Sequence, residues 1–232
     1  MNIIEKYIED KKSLIILISG FSGSGKTVIG KSLAKDLKLE FINLNDYYKE
    51  DFKETKNVGN LDIVTWDSPE AIDWDKFNEK VNGKVNGETN KVNEKVNGET
   101  NKVNGETNKV NGETNKVNGE TNDGLVISGF AFPESKLKFN VDFHVHLKIS
   151  KDDLIKNRQD FISERDDTKL GDIKDLTLEI EKRILNAISF PLYLESLKQS
   201  KFTKTISIEY GKLKEAYNVI FDYIIESIKN LI

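Results

Sequence analysis

The sequence predicts an α/β fold: a mostly parallel sheet of five strands with helices on both faces and a helical lid. Three observations carry this. Short apolar runs of strand length alternate with segments of helical period along the chain. A glycine-rich stretch, Gly20 to Thr27, joins the first apolar run to the first helical segment. The 232 residues, less a low-complexity stretch, leave about 190, which suits one domain spanning the whole chain.

The first strand is Leu14-Ile15-Ile16-Leu17-Ile18-Ser19, and it runs straight into Gly20-Phe21-Ser22-Gly23-Ser24-Gly25-Lys26-Thr27. This is a complete G-x-x-x-x-G-K-[ST] between a strand and a helix, the context a phosphate-binding loop (P-loop) requires. Glycines let the backbone turn tightly and bring its N–H groups against phosphate oxygens. The positive end of the following helix adds to the same anion site. Lys26 is expected at the β- and γ-phosphates of a nucleoside triphosphate, and the Thr27 hydroxyl on Mg²⁺. The helix runs from about Gly25 to Leu37, with Val28, Ile29, Leu33, Ala34 and Leu37 on its apolar face.

Glu40 to Leu44 reads as a second strand, ending in Asn45-Asp46-Tyr47-Tyr48-Lys49. Ligands of open α/β sheets sit at the carboxyl ends of strands, so this end belongs to a site. Glu50 to Asn60 reads as a polar loop. A helix is expected to start at Pro69, capped by Asp67 or Ser68. From about Lys80 to Asn122 the chain falls into copies of Val-Asn-Gly-Glu-Thr-Asn-Lys. Each copy has one apolar residue, so the seven-residue period is no coiled coil and the segment is expected to be a disordered insertion. Six Lys and six Glu between Lys84 and Asn122 leave it neutral.

Gly124 to Phe130 is a third strand, and Val141 to Ile149 alternates cleanly as a fourth. His144 and His146 share one face of it, either as a polar strand face or as metal ligands. Ser150 and Asp153 form a capping pattern for a helix carrying Leu154, Arg158, Phe161 and Arg165 on one stripe, which reads as a lid. A long helical pattern covers about Asp172 to Leu197, interrupted at Pro191. Thr205 to Ile208 is the last strand. Lys212 to Ile232 closes the chain as an amphipathic helix with Leu213, Ala216, Tyr217, Ile220, Ile224 and Ile228 inward.

Composition narrows the partners. Net charge is −4 and the pI about 5.5, so the chain lacks the overall basic footprint of a nucleic-acid binder. There is no cysteine, hence no disulfide and no thiolate metal site. No apolar run reaches membrane-spanning length and residues 1–12 lack a signal-peptide core, so a soluble intracellular protein is expected.

The chain resembles the uridine kinase and nicotinamide riboside kinase family. The resemblance rests on Gly20 to Thr27, Asn45 to Lys49, Trp66-Asp67-Ser68-Pro69-Glu70-Ala71-Ile72-Asp73, Val126 to Phe130, Ile162 to Arg165, and Pro191-Leu192-Tyr193, in matching order. It implies a P-loop kinase three-layer sandwich that transfers the γ-phosphate of ATP, with Mg²⁺, to the ribose 5′-hydroxyl of a small-molecule nucleoside. By that resemblance Asp67 binds ribose hydroxyls, its alternative being a helix cap. Tyr47 and Tyr48 flank the base, or are core aromatics. Arg158 and Arg165 close on the transferring phosphate, or form a solvated helix face.

Three positions depart from the family pattern. Asn45 stands where the family has a catalytic Asp, and Asp46 beside it points the other way on an extended chain. Ser128 replaces an acidic residue that helps to organise Mg²⁺. Phe190 replaces a basic residue before the late proline. Two readings follow: a working nucleoside kinase, and a catalytically impaired ATP-binding protein of the same fold acting as a regulatory or partner-binding subunit. Other small-molecule kinases, of pantothenate or phosphoribulose type, complete the alternatives.

Overall fold

The computed structural model describes residues 2–85, 124–164 and 174–232. Its centre is β1 (Leu14–Gly20), buried at every position because strands flank it and helices cover both faces. In chain order follow α2 (Lys26–Leu37), β2 (Glu40–Asn43), β3 (Thr55–Val58), β4 (Leu61–Val64), α3 (Trp74–Val85), β5 (Gly124–Gly129), β6 (Phe143–Ile149), α4 (Lys151–Glu164), α5 (Lys174–Ile184), α6 (Phe190–Lys198), β7 (Lys204–Ile208) and α7 (Leu213–Lys229), with α1 (Ile3–Lys11) ahead of β1. The main sheet has five strands in the order β2-β5-β1-β6-β7, and every neighbouring pair is parallel. All strands therefore point their carboxyl ends, and the loops after β1, β2 and β5, toward one edge.

Alternation along the strands sorts the core into two layers. Leu14, Ile16, Ile18, Val126 and Val145 face α1, α2 and α7, where Leu33, Ile220, Ile224 and Ile228 are fully buried. Ile15, Leu17, Leu125 and Ile127 face the other way, onto Phe77 and Val81 of α3 and onto Phe132. Each such aliphatic side chain contributes about 1.5–3 kcal/mol on burial, so the repeating stripe on α7 is enough to dock that helix.

Several expectations need correction. Residues 55–64 are an antiparallel hairpin rather than a loop, with Thr55 paired to Val64 and Val58 to Leu61 around Gly59 at φ +69°. Its residues are mostly exposed or half-buried, so no apolar alternation marked it in the sequence. Pro69 opens only a short 3₁₀ turn (Pro69–Ala71); α3 starts at Trp74. That helix continues through residues 80–85, the first part of the expected insertion, because Val81 is buried against the sheet and Lys84 pairs with Glu40 at 2.8 Å. The rest of the insertion lies outside the described residues. The long helix expected before Leu197 is two helices joined by a π-turn (Leu185–Ser189) just ahead of Pro191. A proline lacks its N–H and crowds the carbonyl four residues back, and a widened turn accommodates both. Finally, α1 is a genuine helix, capped by Asn2 and Glu5 in a reciprocal capping box.

Candidate functional site

The phosphate loop has the shape its sequence requires. Gly23 and Gly25 sit at φ +89° and +81°, the left-handed region. A Cβ on Gly25 would also lie 2.3 Å from Leu213 Cδ1. The Ser24 N–H donates to the Phe21 carbonyl at 3.0 Å, closing the turn, and the same carbonyl accepts from Lys26 Nζ at 3.4 Å. Lys26 is 7% exposed, so its ammonium is held against the loop backbone rather than in bulk water. Gly25 at the N-cap of α2 offers no side chain to the first-turn N–H groups, which leaves them to an anion.

The helix α4 docks directly on this loop. Asn157 Nδ2 donates to the Gly23 carbonyl at 3.1 Å, and Leu154 packs beside Gly23. Arg158 follows Asn157 on α4. Arg165 lies outside the described residues.

A second group of expected residues meets at the end of β2. Residues 45–49 and 66–73 are tied together by backbone bonds: Lys49 N–H to the Ala71 carbonyl at 2.9 Å, Asp73 N–H to the Tyr47 carbonyl at 2.8 Å, and a Tyr48–Ile72 bridge. The indole of Trp74 donates to the Pro69 carbonyl at 2.7 Å. These bonds shape a small cleft whose walls include Asn45, Tyr48, Trp66, Asp67 and Phe130. Phe130 in turn packs on Phe21 of the phosphate loop, ring centroids 5.5 Å apart. The cleft and the loop are thus neighbours through one aromatic contact. Burial, with the Asp67 carboxylate adding to it, pushes the Tyr48 phenol up to about 12, so Tyr48 is a neutral donor at all ordinary pH.

The structure separates other residues that the sequence grouped. Tyr47 turns onto Phe77 at 5.4 Å, edge to face, and belongs to the core beside α3; the core-aromatic alternative describes it. Asp67 is not a helix cap: Ser68 is, its hydroxyl accepting from Glu70 N–H. The strand end does bend, into a 3₁₀ turn (Leu44–Tyr47), yet Asn45 and not Asp46 lines the cleft. Ser128 is fully buried at the end of β5, its Cβ 3.4 Å from where a Cβ on Gly30 would stand. It faces α2 one turn beyond Thr27. Among the described residues its hydroxyl has no hydrogen-bond partner, nor has that of Ser24.

These donors bear on Mg²⁺. Thr27 is half-buried at the start of α2, and the orphaned Ser128 hydroxyl faces the same helix. Both are neutral, so they fit a Mg²⁺ that arrives with its charge already met by phosphates, not a dedicated cation cage. Among the described residues no three of His, Asp and Glu cluster as metal ligands.

His144 and His146 are the polar strand face of the two alternatives, but a buried one. Both are 4% exposed, and both bond to Ser19 Oγ, at 2.8 Å from His144 Nε2 and 3.1 Å from His146 Nδ1. Burial pushes each imidazole down to about 4; Lys148 adds to this at His146, while the nearby Lys201 backbone opposes it at His144. Tyr193, part of a matching segment but given no role in the sequence, joins this group through a 3.0 Å hydrogen bond between its hydroxyl and His146 Nε2. The clean alternation of residues 141–149 was the signal that both rings share a side; what they meet there had none.

No family model matches the chain. A nicotinamide riboside kinase of Saccharomyces cerevisiae is 39% identical to it over 72 residues, 31% of this chain and 30% of that protein. A uridine kinase of Schizosaccharomyces pombe is 40% identical over 68 residues, 28% of this chain and 15% of the relative. A probable gluconokinase of Xenopus tropicalis is 48% identical over 46 residues, 20% and 24% of the two chains. Each match spans less than a third of the relative's own length. The chain resembles the P-loop kinases, and among them the uridine kinase and nicotinamide riboside kinase family.

Proposed function

We propose that this chain is an ATP-dependent kinase that moves the γ-phosphate to the ribose 5′-hydroxyl of a nucleoside, with uridine, cytidine and nicotinamide riboside as the candidate acceptors. The observation that carries the reading is the shared cleft: Asp67, Tyr48 and Trp66 line one hollow, and its wall residue Phe130 touches the phosphate loop. A carboxylate suits ribose hydroxyls because it accepts from both, and an exposed indole edge suits a base.

In this reading the loop backbone and Lys26 hold the phosphates, and Asp67 orients the sugar. Arg158 and Arg165 bring positive charge from the lid. Phosphoryl transfer depends mainly on such positioning and charge. Mg²⁺, held by Thr27 with Ser128 beside it, would neutralise phosphate charge when bound with ATP. Tyr48 keeps its proton and serves as a donor.

The impaired-protein reading has its own support. Among the described residues Asp67 is the one carboxylate lining the cleft, Asn45 holds the strand-end position, and Ser128 offers a hydroxyl. A gluconokinase relative also admits a non-nucleoside acceptor.

The test is transfer from labelled Mg-ATP to uridine, cytidine, nicotinamide riboside and gluconate, with Lys26→Ala as the blank. Transfer to a nucleoside above the blank is the expected result. Transfer only to gluconate, or none in a protein that binds ATP, overturns the nucleoside reading. In Lys26→Ala the loss of one charged contact is expected to weaken ATP binding by roughly 10- to 100-fold.

A further inference from the structure

We propose that this site takes up nucleotide phosphates with no requirement for a divalent cation. Metal-free ATP binds about as tightly as Mg-ATP, because the side chains that meet beneath the phosphate loop, among the described residues, are neutral or positive. The inference rests on reading Gly20 to Thr27 as a phosphate loop, and not on which acceptor is phosphorylated.

A cation becomes necessary for phosphate binding where carboxylates stand beside the phosphates. Like charges at close range in a partly dry site repel strongly, and a metal between them removes the repulsion. The loop here has no such pair to separate. From Ser19 to Thr27 and from Ser128 to Pro133 the chain carries no Asp or Glu. The first turn of α2 has no acidic residue either, and Lys26 Nζ lies against the loop, 3.4 Å from the Phe21 carbonyl.

Both faces of the sheet are neutral at this point. On the α2 side lies Ser128, fully buried, its hydroxyl unpartnered among the described residues. Its Cβ is 3.4 Å from the place of a Cβ on Gly30, one turn beyond Thr27. On the opposite side Ser19, the last residue before Gly20, bonds to His144 at 2.8 Å and to His146 at 3.1 Å. Burial keeps both imidazoles uncharged at ordinary pH. Strand β2 pairs Asn43 with Ser128 and so brings an amide to the same edge. Of the carboxylates that follow β2, Asp46 is exposed in the 3₁₀ turn and Asp67 lines the acceptor cleft.

Mg²⁺ bound with the nucleotide changes two things that offset each other. It cancels part of the negative charge that draws ATP to Lys26 and to the N-terminus of α2, and it gains the Thr27 hydroxyl as a ligand. The Ser128 hydroxyl can meet a water of the metal's shell but brings no charge to hold the ion.

The experiment is calorimetric titration of the full chain with ATP, once in Mg²⁺ and once in EDTA, at equal ionic strength. Metal-free ATP is expected to bind no more than about threefold more weakly than Mg-ATP. A larger gap overturns the proposal and leaves the phosphate-loop reading standing. No binding of either form overturns the phosphate-loop reading, and this inference with it. Ser128→Asp, titrated below its melting temperature, adds a negative charge and should weaken metal-free ATP roughly tenfold more than Mg-ATP. Ser128→Asn, polar and uncharged, is the control and should keep the parent's ratio. An unchanged ratio in Ser128→Asp, or an equal change in Ser128→Asn, overturns the proposal. The parent titrations decide it even where a variant fails to fold.

Discussion

Tyr48 and Trp66 meet edge to face, ring centroids 5.4 Å apart and planes at 73°, although the hairpin of residues 55–64 lies between them in sequence. The hairpin is what brings them together: it leaves after residue 48 and returns at residue 66, with Thr65 N–H on the Glu54 carbonyl at 2.9 Å closing its base. Trp66 is 42% exposed and also packs on Phe52, so it walls the cleft without belonging to the core.

Trp66→Ala should therefore separate binding from stability. The expected loss of stability is about 1 kcal/mol or less, as for a surface aromatic. The acceptor KM should rise roughly tenfold, with the ATP Kd unchanged. Calorimetric melting and steady-state kinetics check both. A large fall in melting temperature with no change in KM would place Trp66 in the core instead.

The two absent carboxylates differ in what they cost to restore. Asn45 is exposed, so Asn45→Asp should leave stability within about 0.5 kcal/mol. If a base is limiting, it should raise kcat. Ser128→Asp buries a charge with no partner at a fully enclosed position. It is expected to destabilise the nucleotide-free protein by several kcal/mol. Mg-ATP should recover more of the melting temperature in this variant than in the parent. Equal recovery in both would show that position 128 does not face the metal.

The histidine pair predicts an acid-side stability profile. Both imidazoles are held down to about 4 in the folded state, against about 6.5 in an unfolded chain. The unfolded state thus binds more protons between those values, so stability is full above about pH 6.5 and falls as pH drops toward 4. The slope is at most about 1.4 kcal/mol per pH unit for each ring. His146→Phe keeps a ring against Phe202, which stacks on His146 at 4.6 Å, and removes one titrating group. Its denaturant midpoint should depend less steeply on pH between 6.5 and 5, the window above most carboxylates. An unchanged slope would show that His146 is not buried neutral.

The repeat carries no core in its composition, and the described part of α3, Trp74–Val85, precedes the deleted residues. Deletion of residues 87–122, which spares the Lys84–Glu40 pair, should leave a cooperative melt and the ATP Kd of the parent. A lost cooperative transition would show that the segment contributes to the fold.

By itself the sequence determined the five-stranded sheet, the helices α2 and α7 and the phosphate loop. These rest on local chemistry: the apolar run of β1, the alternation of β6, the α7 stripe at helical spacing, and glycines at 23 and 25 where the backbone must turn left-handed. What the tertiary structure decided are relations between segments distant in the chain. Tyr47 and Tyr48 are adjacent and chemically alike, yet Tyr47 faces Phe77 and Tyr48 faces Trp66, because the turn after β2 sends neighbours to opposite sides. The hairpin of residues 55–64 has no apolar face to announce it, and its strands are held by each other. The bond from Tyr193 to His146 spans 47 residues, and those from His144 and His146 to Ser19 span 125 and 127. No period or motif in one segment records such a pairing. It exists because parallel pairing of β1 with β6 sets Ser19 against His146 in register and leaves three buried polar groups to satisfy one another.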